Sequence, residues 1–257
     1  FVLIEDDEDL NNNLNFLPCM QKLRKGGYDG RGVQALKSKE DLSKAFKEPS
    51  LLEEFIDFEK ELSVIVSRNE SGETKSFPLV ECEFNPEANL VEFLFSPAVV
   101  SPDVEQRARE IAEDVISKFG MVGVLAVEMF LTKEGDILVN EVAPRPHNSG
   151  HQTIEGNITS QYEQHLRSIL NLPLGDTSIV KPSVMVNVLG EKDNIGLVRY
   201  EGLTTITRWP GVYPHIYGKQ EVKPFRKMGH VTIINDSLEE AKKLAFNVKD
   251  TLKAVQQ

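Results

Sequence analysis

Glu128 and Glu141 flank the turn-forming tetrapeptide Lys133-Glu134-Gly135-Asp136. The runs on either side, 123–131 and 137–142, are β-rich. If Glu134 and Gly135 are the two central residues of a tight hairpin, Lys133 faces Asp136, Phe130 faces Val139 and Glu128 faces Glu141. Directly opposed residues have Cβ atoms about 4.5–5.5 Å apart, where like charges destabilise. Two carboxylates in an otherwise apolar hairpin therefore need a reason. A hard divalent cation supplies one, because magnesium takes oxygen ligands and pairs carboxylates with substrate phosphates. Solvation of both carboxylates is the alternative, and the apolar neighbours Ala126, Phe130 and Val139 argue against it. By strict alternation Asn140 falls on the opposite face.

A second constellation is Lys22-Leu23-Arg24-Lys25-Gly26-Gly27-Tyr28-Asp29-Gly30-Arg31-Gly32, four glycines among four cations. Glycine lets the backbone approach a ligand and present N–H groups, while lysine and arginine neutralise phosphate charge. The spacing fits neither the P-loop nor the Rossmann fingerprint. The plain alternative is a surface turn with basic flanks. Asp29, held among cations, stays ionised and could orient or deprotonate an amine.

The loop 143–151 adds Arg145, His147, Asn148, Ser149 and His151 on a backbone restricted by two prolines. Zinc binding by the two histidines lacks a third soft ligand. Anchoring of a phosphorylated, heteroaromatic substrate suits these donors better; a loop pinned by its own hydrogen bonds is the alternative. Finally, Lys219, Lys223, Arg226 and Lys227 cluster before a strand, as either a solvated face or a phosphate pocket. No Gly-x-Ser-x-Gly is present, so nucleophilic hydrolysis has no support.

Several elements must position these groups. Strands are expected at 51–56, 62–67, 74–79, 90–96, 123–131, 137–142, 183–189, 215–217 and 230–235. Ser38 and Asp41 have capping-box spacing before a short helix through Phe46. Ser101-Pro102 reads as N-cap and first residue of a helix ending at Gly120. Further helices are expected at 159–170 and from Ser237 to the chain end. The fold class is α+β, with antiparallel hairpins and separate helices. The Pro/Gly/Asp/Ser-containing stretch 171–182 suggests two domains, 1–175 and 176–257.

Composition narrows the function. The 257 residues suit one or two domains, and 40% hydrophobic with 27% charged is ordinary globular usage. A net charge of −11 disfavours binding to nucleic-acid backbones. The two cysteines, Cys19 and Cys82, have no CxxC or metal-type spacing, so a reducing compartment is the default. No apolar run reaches the length of a membrane span. A cytoplasmic protein with neither nucleic-acid nor membrane partners is expected.

Taken together, Lys22 with GGYDGRG, LLEEFIDFEKELSV, the Glu128/Glu141 pair, NEVAPRPHNSGHQTIEG followed by TSQYEQHLRSIL, and YGKQEVKPFRKMGH resemble the N5-carboxyaminoimidazole ribonucleotide synthetases. The resemblance covers essentially the whole chain and implies an ATP-grasp domain with an antiparallel sheet, followed by a small C-terminal α/β domain. It implies ATP-dependent carboxylation of 5-aminoimidazole ribonucleotide with bicarbonate through carboxyphosphate, with ATP and Mg2+ bound and a homodimeric assembly.

By matching position, Lys22 would contact the ATP phosphates under a loop of Gly27, Tyr28, Gly30, Arg31 and Gly32. Glu53, Glu54, Phe55 and Ile56 would hold adenine, Glu61 the ribose, and Glu128 with Glu141 the magnesium, beside Asn140. Asp29, Arg145 and Lys219 would serve the chemistry. Tyr28, Asp29, Arg31, His147, Asn148, Lys219 and Arg226 would hold the substrate. Phe84 is a departure, standing where many relatives carry a histidine. The family also has an N-terminal domain and an early ATP-grasp segment before Phe1, so the piece alone is expected to be inactive. Alternatives are an enzyme like the formate-dependent glycinamide ribonucleotide transformylase, which has a similar PRPH loop, and a non-catalytic nucleotide-binding remnant.

Overall fold

The computed structural model describes residues 1–27, 32–85, 87 and 90–257. The chain divides into two compact units, one of Phe1–Asp57 with Asn85–Leu90, the other of Phe58–Phe84 with Val91–Gln257. This division by packing does not coincide with the expected 1–175 and 176–257, because strands from both sides of the 171–182 stretch join one sheet.

In the first unit, β1 (Val2–Ile4), β2 (Cys19–Leu23), β3 (Val33–Leu36) and β4 (Ser50–Glu54) form a sheet in the order β1-β4-β2-β3, with α1 (Asp7–Asn12) beside it. Asp6 caps α1 by accepting from the N–H groups of Glu8 and Asp9. Ile4, Leu10, Cys19, Leu36 and Leu52 make its core. The helix expected after Ser38 is a 3-10 turn, Lys39–Lys44. Asp41 reaches back to the N–H groups of Lys37 and Ser38 and pairs with Lys44, but Ser38 makes no side-chain cap bond, so the capping box is only half formed.

The second unit holds a nine-stranded sheet. Its strands are β5 (Phe58–Arg68), β6 (Thr74–Ser76), β7 (Val80–Asn85), β8 (Leu90–Ser96), β9 (Gly123–Thr132), β10 (Ile137–Ala143), β11 (Ser183–Leu189), β13 (Val212–Ile216) and β15 (Lys227–Ile234). The order is β10-β9-β5-β7-β8-β11-β15-β13, with β6 beside β5; the pairings of β9 with β10 and β5, of β5 with β6 and β7, of β11 with β8 and β15, and of β13 with β15 are antiparallel. A small second sheet, β14-β12-β16, uses β12 (Gly196–Glu201), β14 (Glu221–Val222) and β16 (Lys253–Gln256). The chain therefore ends in a strand after the last helix; Lys253–Gln256 pair with β12, which captures residues expected to stay helical.

Alternation along the strands separates scaffold from site. Leu62, Val64 and Val66 of β5, with Leu125, Val127, Met129 and Leu131 of β9, pack on Ala108, Ala112 and Ile116 of α2 (Pro102–Lys118). Those helical positions recur every four residues, so they form one stripe. Ser101 Oγ accepts from Val104 N–H and Pro102 opens the helix, as the sequence predicts. Further along the sheet, Val184, Val186 and Val188 of β11 with Val231 and Ile233 of β15 pack on Ala241, Ala245 and Val248 of α6 (Leu238–Thr251). Burying each Val, Leu or Ile contributes about 1.5–3 kcal/mol before entropy is counted. The opposite face is thereby left to residues of the other parity: Glu61 and Ser63, Glu128, Asn187, His230 and Thr232. That face carries α3 (Thr153–Gly156) and α4 (Gln161–Ile169), while α5 (Leu203–Ile206) contributes to the α6 side.

Candidate active site

Glu128 and Glu141 are register partners on β9 and β10, although the hairpin is not the one the sequence predicts. The turn has three loop residues, not two: Thr132 N–H donates to Asp136 O, and Gly135 takes φ +88°. A left-handed residue closing a three-residue loop favours glycine. The extra residue slips the ladder by one, so Phe130 pairs with Leu138 and Met129 with Val139. A β-bulge between Val139 and Glu141 adds one residue on β10 and restores the carboxylate pair. Asn140 is that residue, so strict alternation does not set its direction.

Glu128 is nearly buried and Glu141 exposed. Burial, then the charge and hydrogen bond of Glu141, then Glu61, push the Glu128 carboxyl well above the ordinary carboxylate range. Glu61, opposite Phe130 on β5, is raised to about 7 by burial and by Glu141. Three carboxyls thus share a partly desolvated region that lacks enough positive charge. Among the described residues no three His, Cys, Asp or Glu side chains are grouped tightly enough to enclose a metal alone. A divalent cation completed by phosphate oxygens fits this donor set, because its charge would favour the ionised form of Glu128 that burial and Glu141 now oppose.

The 143–151 loop lies against this pair. His147 Nδ1 is 3.5 Å from Glu128 Oε1 and accepts from Ser149 N–H at 3.3 Å. Ser149 Oγ is 2.7 Å from Ser63 Oγ, and Ser63 is itself paired with Glu128. Gln161, fully buried at the start of α4, clamps His147 twice: Oε1 accepts from its N–H and Nε2 donates to its carbonyl, both at 2.8 Å. Asn148 exchanges amide hydrogen bonds of 2.9 and 2.8 Å with Asn187 of β11. Arg145 is exposed, with Nη1 3.2 Å from Pro146 O. The loop is thus pinned by internal bonds and still presents its cation to one side. Gly150 is required there, since a Cβ would lie 2.6 Å from the Gln161 side chain.

Lys219 donates to Lys227 O and sits 5.7 Å from the Tyr217 ring centre. Arg226 donates to Glu221 O at 2.9 Å. Lys227 bears electrostatically on both Glu128 and His151, a role its place in a basic run did not reveal. Phe84 packs on the apolar cluster of Val80, Cys82, Val91, Leu94 and Met185.

In the first unit, Lys22 Nζ lies 2.6 Å from Glu53 Oε2, and Leu23 N–H donates to Gly32 O at the mouth of the glycine loop. Gly27 is exposed, and Gly32 lies close to it, where an added Cβ would come within 3.1 Å of Gly27 Cα. Tyr28, Asp29, Gly30 and Arg31 lie outside the described residues. Glu53 and Glu54 end β4, while Phe55 and Ile56 follow it, with Lys37 Nζ 5.4 Å from the Phe55 ring centre. The expected strand 51–56 therefore stops two residues early.

Sequence reasoning missed Gln161, Ser63, Asn187, His215 and His230. A usable signal existed for two of them: Asn187 and His230 are hydrogen-bonding side chains flanked by apolar residues in otherwise β-rich strands, a combination that needs a buried partner.

The family model for the ATP-grasp domain matches residues 1–162, and the chain belongs to the ATP-grasp family. The model for the phosphoribosylaminoimidazole carboxylase C-terminal domain matches residues 183–244. An N5-carboxyaminoimidazole ribonucleotide synthase of Bacillus subtilis is 42% identical over 229 residues, 87% of this chain and 58% of the relative. The structure of N5-carboxyaminoimidazole ribonucleotide synthetase from Thermotoga maritima superposes with TM-score 0.88 at 44% identity, covering 100% of this chain and 67% of that one. The Aspergillus clavatus synthase, in complex with ADP and 5-aminoimidazole ribonucleotide, gives TM-score 0.81 at 32% identity over 94% of this chain and 64% of that one. Within the ATP-grasp family, the chain belongs with the N5-carboxyaminoimidazole ribonucleotide synthetases. It spans about half the length of the curated relatives it matches.

Proposed function

We propose that the chain supplies nucleotide- and substrate-binding parts of an enzyme that carboxylates 5-aminoimidazole ribonucleotide at the expense of ATP. A bicarbonate oxygen attacks the γ-phosphorus and ADP leaves, forming carboxyphosphate. The exocyclic amine then attacks the carboxyl carbon; phosphate leaves, one proton is released, and N5-carboxyaminoimidazole ribonucleotide remains. The family models over 1–162 and 183–244 support a division near 175 between the ATP-grasp part and a smaller C-terminal part.

In the first unit, Lys22 neutralises ATP phosphate charge. Gly27, Tyr28, Gly30, Arg31 and Gly32 exclude water from the labile carboxyphosphate, and Asp29 accepts the amine proton. Glu53, Glu54, Phe55 and Ile56 line the adenine. In the second unit, Glu61 receives the ribose, and Glu128 and Glu141, beside Asn140, would hold Mg2+, whose charge offsets that of the phosphates. Arg145 steadies bicarbonate and carboxyphosphate electrostatically, while Lys219, Arg226, His147 and Asn148 hold the ribonucleotide; in the first unit Tyr28, Asp29 and Arg31 are assigned to the same substrate by their place in the motif. The enzyme acts as a cytoplasmic homodimer on small molecules, without nucleic-acid or membrane partners; among the described residues no helix is long and apolar enough to cross a membrane.

The observation that carries this reading is the opposition of Glu128 and Glu141 beside His147, in a chain matched by both family models. ADP release from the intact enzyme tests it. Release that requires both bicarbonate and 5-aminoimidazole ribonucleotide is expected. Release stimulated by formate and glycinamide ribonucleotide instead would overturn the assignment.

A further inference from the structure

His151, His230 and His215 form a column of three rings. The His230 centre lies 4.6 Å from that of His151 and 4.4 Å from that of His215, with planes inclined by 24° and 13°. The outer rings are supported from α3 and α4: His215 Nε2 lies 2.9 Å from Glu155 Oε1, and Tyr162 Oη lies 3.0 Å from His151 Nδ1. The middle ring, 2% exposed, has a single polar contact. Its Nδ1 is 2.9 Å from Tyr217 Oη, whereas its Nε2 is buried with no hydrogen-bond partner.

That asymmetry selects a tautomer. Burial between two other imidazoles holds His230 neutral, with its pKa pushed down to about 2, so the ring carries one N–H. A proton on Nε2 would be a buried donor without an acceptor, which folded proteins avoid more strictly than an under-used acceptor. A proton on Nδ1 donates to Tyr217 Oη instead. The phenol oxygen then accepts from His230, and its own hydrogen must point elsewhere. Tyr217 is 39% exposed, two residues before Lys219, whose ammonium lies over its ring. Burial raises the phenol's pKa, so the O–H is retained.

We infer that Tyr217 is a further ligand for the phosphorylated substrate: its hydroxyl, turned outward by His230, donates to a phosphoryl oxygen of the phosphate monoester that Lys219 grips. The inference rests on the reading that Lys219 holds the ribonucleotide. It adds a neutral donor, with a buried histidine behind it, to a site otherwise described by cations.

Steady-state kinetics of the intact enzyme test it. Tyr217→Phe keeps the ring beside Lys219 and removes only the O–H. KM for 5-aminoimidazole ribonucleotide should rise about 10- to 100-fold, the scale of a hydrogen bond to a charged group, with kcat and the KM for ATP within about twofold. Inhibition by the dephosphorylated nucleoside should be unchanged; a purely structural role would move all these constants together. An unchanged ribonucleotide KM in Tyr217→Phe, while Lys219→Met raises it, overturns this inference alone. An unchanged KM in Lys219→Met overturns the reading beneath it. Independently, 15N shifts of wild-type His230 should show protonated Nδ1 and bare Nε2, and the reverse tautomer overturns the inference.

Discussion

Glu141 stands opposite Glu128 across β9 and β10, and its charge adds to burial in keeping Glu128 from ionising at its ordinary pH. Holding a carboxyl protonated in this way costs stability at neutral pH, where the unfolded chain would ionise it, until a cation arrives. In metal-free protein, Glu128→Gln is therefore expected to raise the melting temperature. A gain of about 1 kcal/mol would correspond to roughly 2–4 °C for a domain of this size. The same variant should lose the further rise that magnesium and ADP together give the parent. Thermal scans with and without both ligands check this, and a variant that melts lower in the absence of metal would contradict it.

Lys22 and Glu53 make a different kind of contact, a 2.6 Å ion pair with side chains 19% and 37% exposed. Pairs near the surface contribute about 0–1 kcal/mol. Lys22→Met should therefore leave the urea midpoint almost unchanged while weakening nucleotide binding at least about 10-fold, since a cation in contact with phosphate would be gone. Calorimetric titration with ADP measures the second effect. Equal loss of stability and affinity would assign Lys22 to the scaffold instead.

The contrast between those two pairs bears on how far the sequence could be read. Local patterns located α2 through Ser101-Pro102, and both strands of the carboxylate hairpin through their β-rich runs. They could not show that a three-residue turn slips the ladder and that Asn140 restores it, because the two irregularities cancel at Glu128 and Glu141. Nor does local pattern show the Gln161 clamp on His147, which joins residues 14 positions apart, or the pairing of Asn148 with Asn187. The ends were misjudged for the same reason: Lys253–Gln256 become a strand only because β12 offers an edge more than 50 residues upstream. Chemistry-bearing residue types were legible where a motif is contiguous. Supporting residues on distant strands were not.

Acid should expose the histidine column. His151 is pushed down to about 4, chiefly by burial and then by Lys227, His215 and Arg145, and His230 to about 2 by burial, His151 and His215. In the unfolded chain both titrate near 6.5. Below that pH the unfolded state takes up protons the native state refuses, so this stability is complete above about 6.5 and is lost as pH falls toward 4. Glu61, raised to about 7, contributes with the opposite sign over part of that range, being stabilising at low pH and losing that contribution as pH rises. The comparison of wild type with His230→Gln isolates the imidazole. Their difference in unfolding free energy should shift against the wild type by up to about 1.4 kcal/mol per pH unit between pH 6 and 5. Urea titrations at both pH values measure it, and a constant difference would show that His230 is protonated in the native protein.

Gln161 offers the sharpest separation of scaffold from chemistry. Its amide is fully buried and satisfies both backbone groups of His147, while Thr153 Oγ1 accepts from its own N–H at 2.9 Å. Gln161→Ala removes both bonds and leaves a cavity where the loop was braced, costing about 1–3 kcal/mol. The larger effect should be kinetic. Arg145 and His147 owe their placement to this brace, and a displacement of about 1 Å in a positioning group can reduce turnover about 100-fold. Bicarbonate- and ribonucleotide-dependent turnover should fall on that scale in Gln161→Ala with a smaller change in the KM for ATP, because the proposed adenine contacts at Glu53, Glu54, Phe55 and Ile56 belong to the other unit. Gly150→Ala, which drives a methyl group to within 2.6 Å of the same amide, should reproduce the pattern. Parallel urea titrations and initial rates on the two variants decide the matter: a rate loss no larger than the loss of folded protein would mean that the clamp serves folding alone.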